Sequence, residues 1–264
     1  MLRSLWVAFR ELVLPTHCVA CERRAPRDAP FTLCSACGRA MAGLIEVPHC
    51  PRCGRGAGPH AFDLDGCSLC RGRPLRYDGL ARVGPYKDPL KSLILAYKYG
   101  RRQDLGPVLG RLLAERVALA PWADLVDLVV PVPLHWRRRV VRGFNQATAL
   151  AQEVVRAMDR PPVARLRQGG APLRRGEARR LLRVRPTPHQ TRLPPGRRVE
   201  NVRGAFAVRG EASAVKGRRL LLVDDVLTSG ATVGECARVL KRAGAASVFA
   251  AVLAVAGPNE PGPW

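Results

Sequence analysis

The sequence predicts an α/β fold with a parallel sheet, preceded by a small cysteine-rich domain. The apolar stretch 220–223 lacks polar alternation, which is typical of a strand buried on both faces of a parallel sheet. A helical pattern follows at 233–243, with apolar residues three and four positions apart. A second apolar strand is predicted at 125–133, before a helix at 145–158, and eight of the nine cysteines lie between Cys18 and Cys70.

These patterns divide the chain into parts: a short amphipathic helix at 1–16, a cysteine-rich domain at 17–73, an α/β domain at 74–256 with a basic loop region at 160–204, and a tail at 257–264. The first segment is apolar but carries Arg3, Arg10 and Glu11 and lacks a small-residue cleavage site, which does not suit a signal peptide. Apolar stretches stay shorter than the roughly 18 to 20 residues that span a bilayer. We therefore expect a cytoplasmic protein without a membrane span.

The cysteines of the N-terminal part form four pairs with two residues inside each pair: Cys18/Cys21, Cys34/Cys37, Cys50/Cys53 and Cys67/Cys70. Such a pair brings two thiolates onto one metal ion, and two pairs complete a tetrahedral shell. Gaps of 12 and 13 residues between the pairs indicate two repeats, with Gly38 and Gly54 in tight turns after the second cysteines. We predict two structural zinc sites, one per repeat, although a crossed pairing of the four turns stays open.

The two alternative roles for these thiols are disulfide bonds and ligation of an iron–sulfur cluster. Disulfides would need an oxidising compartment, and the sequence has no evident export signal. An iron–sulfur cluster uses the same soft ligands as zinc. The ninth thiol, Cys236, lies on the apolar face of the helix at 233–243, so we expect it to be a small core residue.

The middle of the chain alternates between strand and helix patterns. Strands and turns are predicted at 77–86, and helices at 88–99 and 104–120. The strand at 125–133 leads into a basic loop, residues 134–143. This loop follows the C-terminal end of a parallel strand, where α/β sheets bind their ligands. Arginines and backbone amides there would stabilise a pyrophosphate group.

Two carboxylates, Asp224 and Asp225, directly follow the apolar stretch, and a loop of hydroxyl residues and glycine precedes the helix. Backbone N–H groups at a helix N-terminus bind phosphate, and Gly230 lets the backbone approach an anion closely. Carboxylates repel phosphate but accept hydrogen bonds from hydroxyls. The stretch therefore predicts a sugar-phosphate ligand. The alternative is an ordinary strand–turn–helix unit with a threonine N-cap.

Residues 220–232 closely resemble the phosphoribosyl pyrophosphate (PRPP) motif of type I phosphoribosyltransferases. This resemblance implies their Rossmann-like parallel sheet and a ligand bound together with Mg²⁺. It implies that Asp224 and Asp225, the candidate catalytic residues, hold the ribose 2′ and 3′ hydroxyls. The 5-phosphate would be wrapped by the loop residues Thr228, Ser229, Gly230, Ala231 and Thr232, and pyrophosphate would be neutralised by Lys98, Arg137, Arg138 and Arg139.

The chain also resembles the ComF family over about residues 18–255, through the cysteine ribbon, the segments 98–100, 130–134 and 142–146, and the pattern from Arg185 to Phe206. Membership would imply a cytoplasmic protein that meets incoming single-stranded DNA and proteins of the DNA-uptake machinery. Catalysis is left open by this resemblance. The alternatives are a DNA-binding adaptor or PRPP-sensing regulator without catalysis, and a nucleobase-salvage phosphoribosyltransferase.

The charge is strongly positive, with 44 basic and 21 acidic residues and a net charge of +23. This surplus exceeds what a polyphosphate needs and indicates a nucleic-acid partner, while a general bias toward arginine is the alternative. The weak nucleic-acid candidates are Arg142, Arg174, Arg175, Arg179 and Arg180. Two of these motifs also have ordinary structural interpretations: Lys98 as a solvated cation at a helix end, and the segment 142–146 as a helix start capped by Asn145.

Overall fold

The structure is a computed structural model that describes residues 17–26, 33–58, 61–63, 66–72, 74–100, 102–134, 144–166, 174–175, 181–187, 195–210 and 214–257. The predicted helix at 1–16 and the tail beyond residue 257 lie outside these ranges. Within them, no helix combines the length and the apolar character needed to cross a bilayer.

The described helices are α1 (Ser35–Glu46), α2 (Ser68–Arg71), α3 (Leu90–Tyr99), α4 (Gly106–Ala118), α5 (Gln146–Met158), α6 (Pro195–Val202) and α7 (Ala231–Arg242). The described strands are β1 (Phe62–Asp63), β2 (Gly66–Cys67), β3 (Gly79–Pro85), β4 (Leu128–Pro131), β5 (Arg174–Arg175), β6 (Leu181–Arg183), β7 (Phe206–Val208), β8 (Arg219–Leu227) and β9 (Ser247–Val255). Short 3₁₀ turns precede α4 and β4 and follow α5.

The main sheet confirms the predicted α/β class. Its strand order is β3-β9-β8-β4-β5, and every neighbouring pair is parallel. β8 and β9 are runs of Leu, Val and Ala that are buried on both faces, as their lack of alternation predicts. The side chains alternate between two cores: Leu221 and Val223 face one, and Leu220 and Leu222 face the other.

Helices cover both faces of this sheet. The core on the first face contains buried residues of α3, α4 and α5, and that on the second contains buried residues of α7 and the antiparallel hairpin β6–β7. Trp122 stacks on Phe249 with ring centroids 4.6 Å apart, and Gly79 leaves the space that its indole occupies. At the N-terminal end of β8, Arg219 donates to both carboxylate oxygens of Asp127 and so joins β8 to the residue preceding β4.

Several element boundaries differ from the sequence-based expectation. β4 is shorter than 125–133, while β8 continues through both aspartates to Leu227. β8 extends because its pairing with β9 persists through Asp224 and Val226, so the change from apolar to acidic residues does not end the ladder. The helices α3 and α4 begin two residues later than predicted.

The N-terminal domain is a repeat, as the cysteine spacing predicts. In both halves the first cysteine pair forms the same turn: the N–H of Glu22 donates to the Cys18 carbonyl and that of Gly54 to the Cys50 carbonyl. Both Glu22 and Gly54 have positive φ, 61° and 70°. The second pair of each half begins a helix, α1 or α2. The expected turn at Gly38 is therefore wrong, because Gly38 lies inside α1.

This domain covers the outer edge of β3. The N–H of Leu80 donates to the Pro51 carbonyl at 3.2 Å, which satisfies a donor that the edge strand would otherwise expose. Gly54 packs so closely that a Cβ there would contact Leu80 and lie 2.9 Å from Val255 Cγ2. All of β3 except its last residue, Pro85, is consequently buried, although it is the last strand of the sheet.

The segment between β6 and β7 explains part of the pattern from Arg185 to Phe206. Arg185 donates to the backbone carbonyls of Asn201 and Arg203, both at 2.9 Å, and so caps the C-terminus of α6. Glu235 on α7 accepts from the N–H of Gly204 at 2.8 Å and fixes this segment against α7. These residues have structural roles here.

Candidate functional site

The two aspartates lie near the C-terminal end of β8, in the middle of the sheet. Asp224 accepts a hydrogen bond from the N–H of Asp225 at 2.9 Å. Asp225 Oδ1 lies 2.8 Å from Lys98 Nζ, at the last turn of α3. The strand fixes the two carboxylates, and the helix brings a cation to one of them.

Lys98 is 6% exposed, so its interpretation as a solvated helix-end cation is wrong. Sequence spacing could not reveal this, because the partner carboxylate lies on a distant strand. The carboxylate partner offsets part of the desolvation penalty of the buried ammonium group. The ion pair therefore places an ammonium group beside Asp225 and leaves the two side chains without net charge.

Burial raises the pKa of Asp224 to about 7, and the neighbouring charge of Asp225 acts in the same direction. The Asp225 N–H, Lys98 and Arg183 oppose this shift without cancelling it. Asp224 therefore changes its protonation state near neutral pH, whereas an ordinary aspartate would be fully ionised. Perturbed carboxylates of this kind concentrate at functional sites.

The predicted phosphate loop connects β8 to α7. Gly230 is the N-cap of α7 with φ 77°, so the threonine N-cap of the alternative interpretation is wrong. Ser229 is exposed, and its Oγ accepts weakly from the N–H of Ala231 at 3.4 Å. A side chain at Gly230 would meet no atom within 4 Å, so the glycine is needed for its backbone conformation and the space beside the loop is open. The arrangement suits an anion at the N-terminus of a twelve-residue helix.

The basic loop after β4 is only partly described. Arg137, Arg138, Arg139 and Arg142 lie outside the described residues. The ends of this segment are held together by Asn145, which caps α5 by accepting from the N–H of Ala147 at 3.1 Å and donates to the Val132 carbonyl at 3.4 Å. The cap role of Asn145 is confirmed. Since Val132 itself bonds to the Val223 carbonyl, the loop leaves the sheet beside the aspartates.

The weak nucleic-acid candidates are not brought together by the described chain. Arg174 and Arg175 form β5, whose backbone pairs with Leu128 and Val129 at the far edge of the sheet. Arg179 and Arg180 lie outside the described residues.

Two residues near the aspartates were not predicted. Arg183 on β6 lies over the ring of Phe206, 5.3 Å from its centroid, and donates to Thr187 Oγ1. Its charge opposes the rise in the pKa of Asp224. Within the described part of the chain, the buried hydroxyl of Tyr97 has no hydrogen-bond partner, and its ring lies edge-on to Phe144 at 5.5 Å. Among so many arginines, no sequence signal distinguishes Arg183.

The cysteines form two separate tetrads, which we call the first tetrad (Cys18, Cys21, Cys34 and Cys37) and the second tetrad (Cys50, Cys53, Cys67 and Cys70). The sulfur atoms of each tetrad lie within 4.8 Å of one another. Sulfur–sulfur distances of 3.6 and 3.7 Å match the edge of about 3.8 Å of a tetrahedron with 2.3 Å zinc bonds. They are far too long for disulfides. One site per repeat is therefore confirmed, and the crossed pairing is wrong.

The two tetrads differ in exposure. All four cysteines of the second tetrad are buried, whereas Cys21 of the first is exposed and Cys34 and Cys37 are partly exposed. The thiol set of each is complete for a closed structural zinc site, which needs four ligands and no water. Cys236 is fully buried in the core beneath α7, as predicted.

Two known families match parts of the chain. Residues 9–72 match the double zinc ribbon domain, and residues 188–264 match the phosphoribosyl transferase domain.

Three relatives match most of the chain. DNA utilization protein YhgH of Salmonella typhi is 33% identical over 240 residues, which are 90% of this chain and 96% of the relative. Competence protein F of Haemophilus influenzae is 29% identical over 231 residues, 86% of this chain and 92% of the relative. Competence protein ComFC of Bacillus subtilis is 26% identical over 248 residues, 87% of this chain and 90% of the relative.

Proposed function

Because this chain belongs to the ComF family, together with DNA utilization protein YhgH and competence protein F, we propose that it binds PRPP with Mg²⁺ and acts with single-stranded DNA during DNA uptake. The observation that carries the proposal is the pair Asp224 and Asp225 at the end of β8, directly before the loop and the N-terminus of α7. A sugar phosphate needs two kinds of group close together: acceptors for its hydroxyls, which the aspartates provide, and amide donors for its phosphate, which the loop and the helix N-terminus provide.

Each part of the site has its own task in this proposal. Asp224 and Asp225 accept hydrogen bonds from the ribose 2′ and 3′ hydroxyls. The residues from Thr228 to Thr232 donate to the 5-phosphate through backbone amides and hydroxyls. Lys98 compensates the charge of Asp225, which lowers the repulsion that a pair of carboxylates exerts on an approaching polyphosphate.

The pyrophosphate of PRPP needs further positive charge. Mg²⁺ bound with PRPP supplies part of it, since this ion usually binds through substrate phosphates and keeps several waters. Arg137 and Arg138 belong to the loop that leaves the sheet beside Asp224, so they are the proposed protein donors to the same group. If transfer to an acceptor occurs, these cations stabilise the departing pyrophosphate while the aspartates hold the ribose.

The DNA part of the proposal rests on charge and on the named relatives. A net charge of +23 gives a large sequence-independent attraction to phosphate backbones. A cytoplasmic location, where thiols stay reduced, would suit the eight metal-ligating cysteines of the ribbon. A second candidate is a PRPP-responsive DNA adaptor without transfer, which this charge supports as well.

Calorimetric titration tests the binding part. PRPP with Mg²⁺ is titrated into zinc-loaded protein, with and without a short single-stranded oligonucleotide. Binding by the wild type and its loss in Asp224→Asn with Asp225→Asn are expected. Asp104→Asn is the matched control and should bind like the wild type, because this exposed carboxylate pairs with Arg102 and not with a residue of the proposed site. Absence of binding in the wild type, or equal binding in the double variant, would overturn the proposal.

The oligonucleotide arm separates the two candidates. Affinity for single-stranded DNA should fall steeply with salt and depend little on sequence. Release of pyrophosphate in the presence of DNA or a free base would establish transfer. Binding of both ligands with no pyrophosphate release would favour the adaptor.

A further inference from the structure

Arg82 is a buried cation with almost no partners. It lies in β3, is 1% exposed, and its one hydrogen bond runs from Nη2 to the Val47 carbonyl at 3.4 Å. Among the described residues, its Nε and Nη1 atoms have no hydrogen-bond partner, and no carboxylate forms an ion pair with it. An uncompensated buried charge strongly destabilises a fold. We therefore expect a negative charge close to the Arg82 guanidinium.

The surroundings of Arg82 point to the second zinc ribbon. Side chains alternate along a strand, so Arg82 leaves β3 on the same face as Leu80. Leu80 contacts the turn of the second tetrad, where Gly54 packs against its side chain and Pro51 accepts from its N–H. Val47, which accepts from the guanidinium, lies three residues before Cys50. The guanidinium thus lies between the sheet edge and the second ribbon.

Electrostatics agree with this position. Burial lowers the pKa of Arg82 to about 10, and the charge of Cys53 opposes that shift. A Zn²⁺ ion held by four thiolates carries a net charge of about −2. Groups that surround such a centre and donate to its sulfurs tune its affinity for the metal.

We propose that Arg82 is the buried counter-cation of the second zinc tetrad and couples zinc binding there to the stability of the main sheet. The zinc–thiolate charge compensates the guanidinium, and the guanidinium in turn favours the charged, metal-bound form. Arg82 contacts the chain beside the second tetrad, and the other buried cation among the described residues, Lys98, pairs with Asp225. The inference does not depend on PRPP binding.

Zinc affinity tests the first half of the proposal. The full chain is studied in two backgrounds: Cys18→Ser with Cys21→Ser leaves only the second tetrad, and Cys50→Ser with Cys53→Ser leaves only the first. Competition with a zinc-binding indicator dye measures affinity in each. Arg82→Met should weaken zinc binding by about 10- to 100-fold at the second tetrad and by less than about 2-fold at the first. Equal losses at both tetrads would overturn the proposal.

Thermal unfolding of the full chain tests the coupling. With zinc bound, Arg82→Met should lower the melting temperature, because the zinc–thiolate charge loses its partner. After chelation it should raise the melting temperature, because the variant removes a buried charge that has nothing to compensate it. A role in packing alone predicts a loss in both states, and that result would overturn the proposal.

Two further variants keep the test decisive if Arg82→Met does not fold. Arg82→Lys retains the charge, and Arg82→Gln removes it while keeping polar atoms. Zinc should bind more tightly to the second tetrad in Arg82→Lys than in Arg82→Gln. Equal affinities, or the reverse order, would contradict the proposed electrostatic role.

Discussion

Replacement of Lys98 by methionine tests how far the site depends on its internal ion pair. The side chains of Lys98 and Asp225 are 4% and 14% exposed, so water screens their 2.8 Å contact weakly. At an effective dielectric constant of about 20, two unit charges at this distance attract by about 6 kcal/mol before desolvation is considered. Removal of one partner of such a buried pair usually costs about 3–5 kcal/mol. In a domain of this size, that corresponds to a fall of the melting temperature on the order of 10 °C.

The assay is thermal and urea unfolding of zinc-loaded protein, followed by circular dichroism. Lys98→Met with Asp225→Asn removes both charges, so it should recover most of the stability lost in Lys98→Met. The matched control is Lys241→Met, because Lys241 forms a 2.6 Å ion pair with Asp78 that is more than a third exposed. This control should cost no more than about 1 kcal/mol. The reasoning is refuted if Lys98→Met is as mild as the control, or if the double variant is as unstable as Lys98→Met.

Four other outcomes follow from the structure. PRPP affinity should rise roughly tenfold from pH 6 to pH 8 in calorimetric titrations, because the Asp224 pKa of about 7 makes the ionised carboxylate dominant only above neutrality. Asp224→Asn should reduce this pH dependence. The same raised pKa stabilises the fold most at low pH, below the usual aspartate value, and this contribution is lost as the pH rises through 7. In urea unfolding, Glu22→Gly should stabilise the chain by about 0.5–1 kcal/mol, because the φ of 61° at this position suits glycine. Gly54→Ala should destabilise the chain, because the added Cβ would contact the sheet. Equal effects of the two variants would contradict this reasoning. A chelator should remove zinc in two phases, the faster from the tetrad that contains exposed Cys21, and a single phase would contradict that assignment.

Sequence patterns predicted those features that depend on local order along the chain. The cysteine spacing predicted both tetrads, and the run at 220–232 predicted the strand, the loop and the helix. The end of β8 was missed because a strand continues while its neighbour pairs with it, whatever the polarity of its residues.

Features that depend on contact between distant elements were not predictable. Nothing in the sequence indicates that Lys98 and Arg82 are buried, since lysine and arginine are usually exposed. Only the fold buries them, one against Asp225 and the other at the edge of the sheet. Arg183 likewise reaches the site through a hairpin whose long connection, from β6 to β7, follows no simple periodic pattern.

Because the zinc domain covers the edge of β3, loss of zinc should promote aggregation of this protein. Release of the metal would loosen the turn at Pro51 and uncover a seven-residue strand at the end of a parallel sheet. Such an open edge recruits strands from other molecules and leads to aggregation. We expect light scattering to rise during chelation before helix content falls, so that zinc starvation would remove the protein by precipitation while its ligand site is still folded. A simultaneous change in both signals would contradict this order.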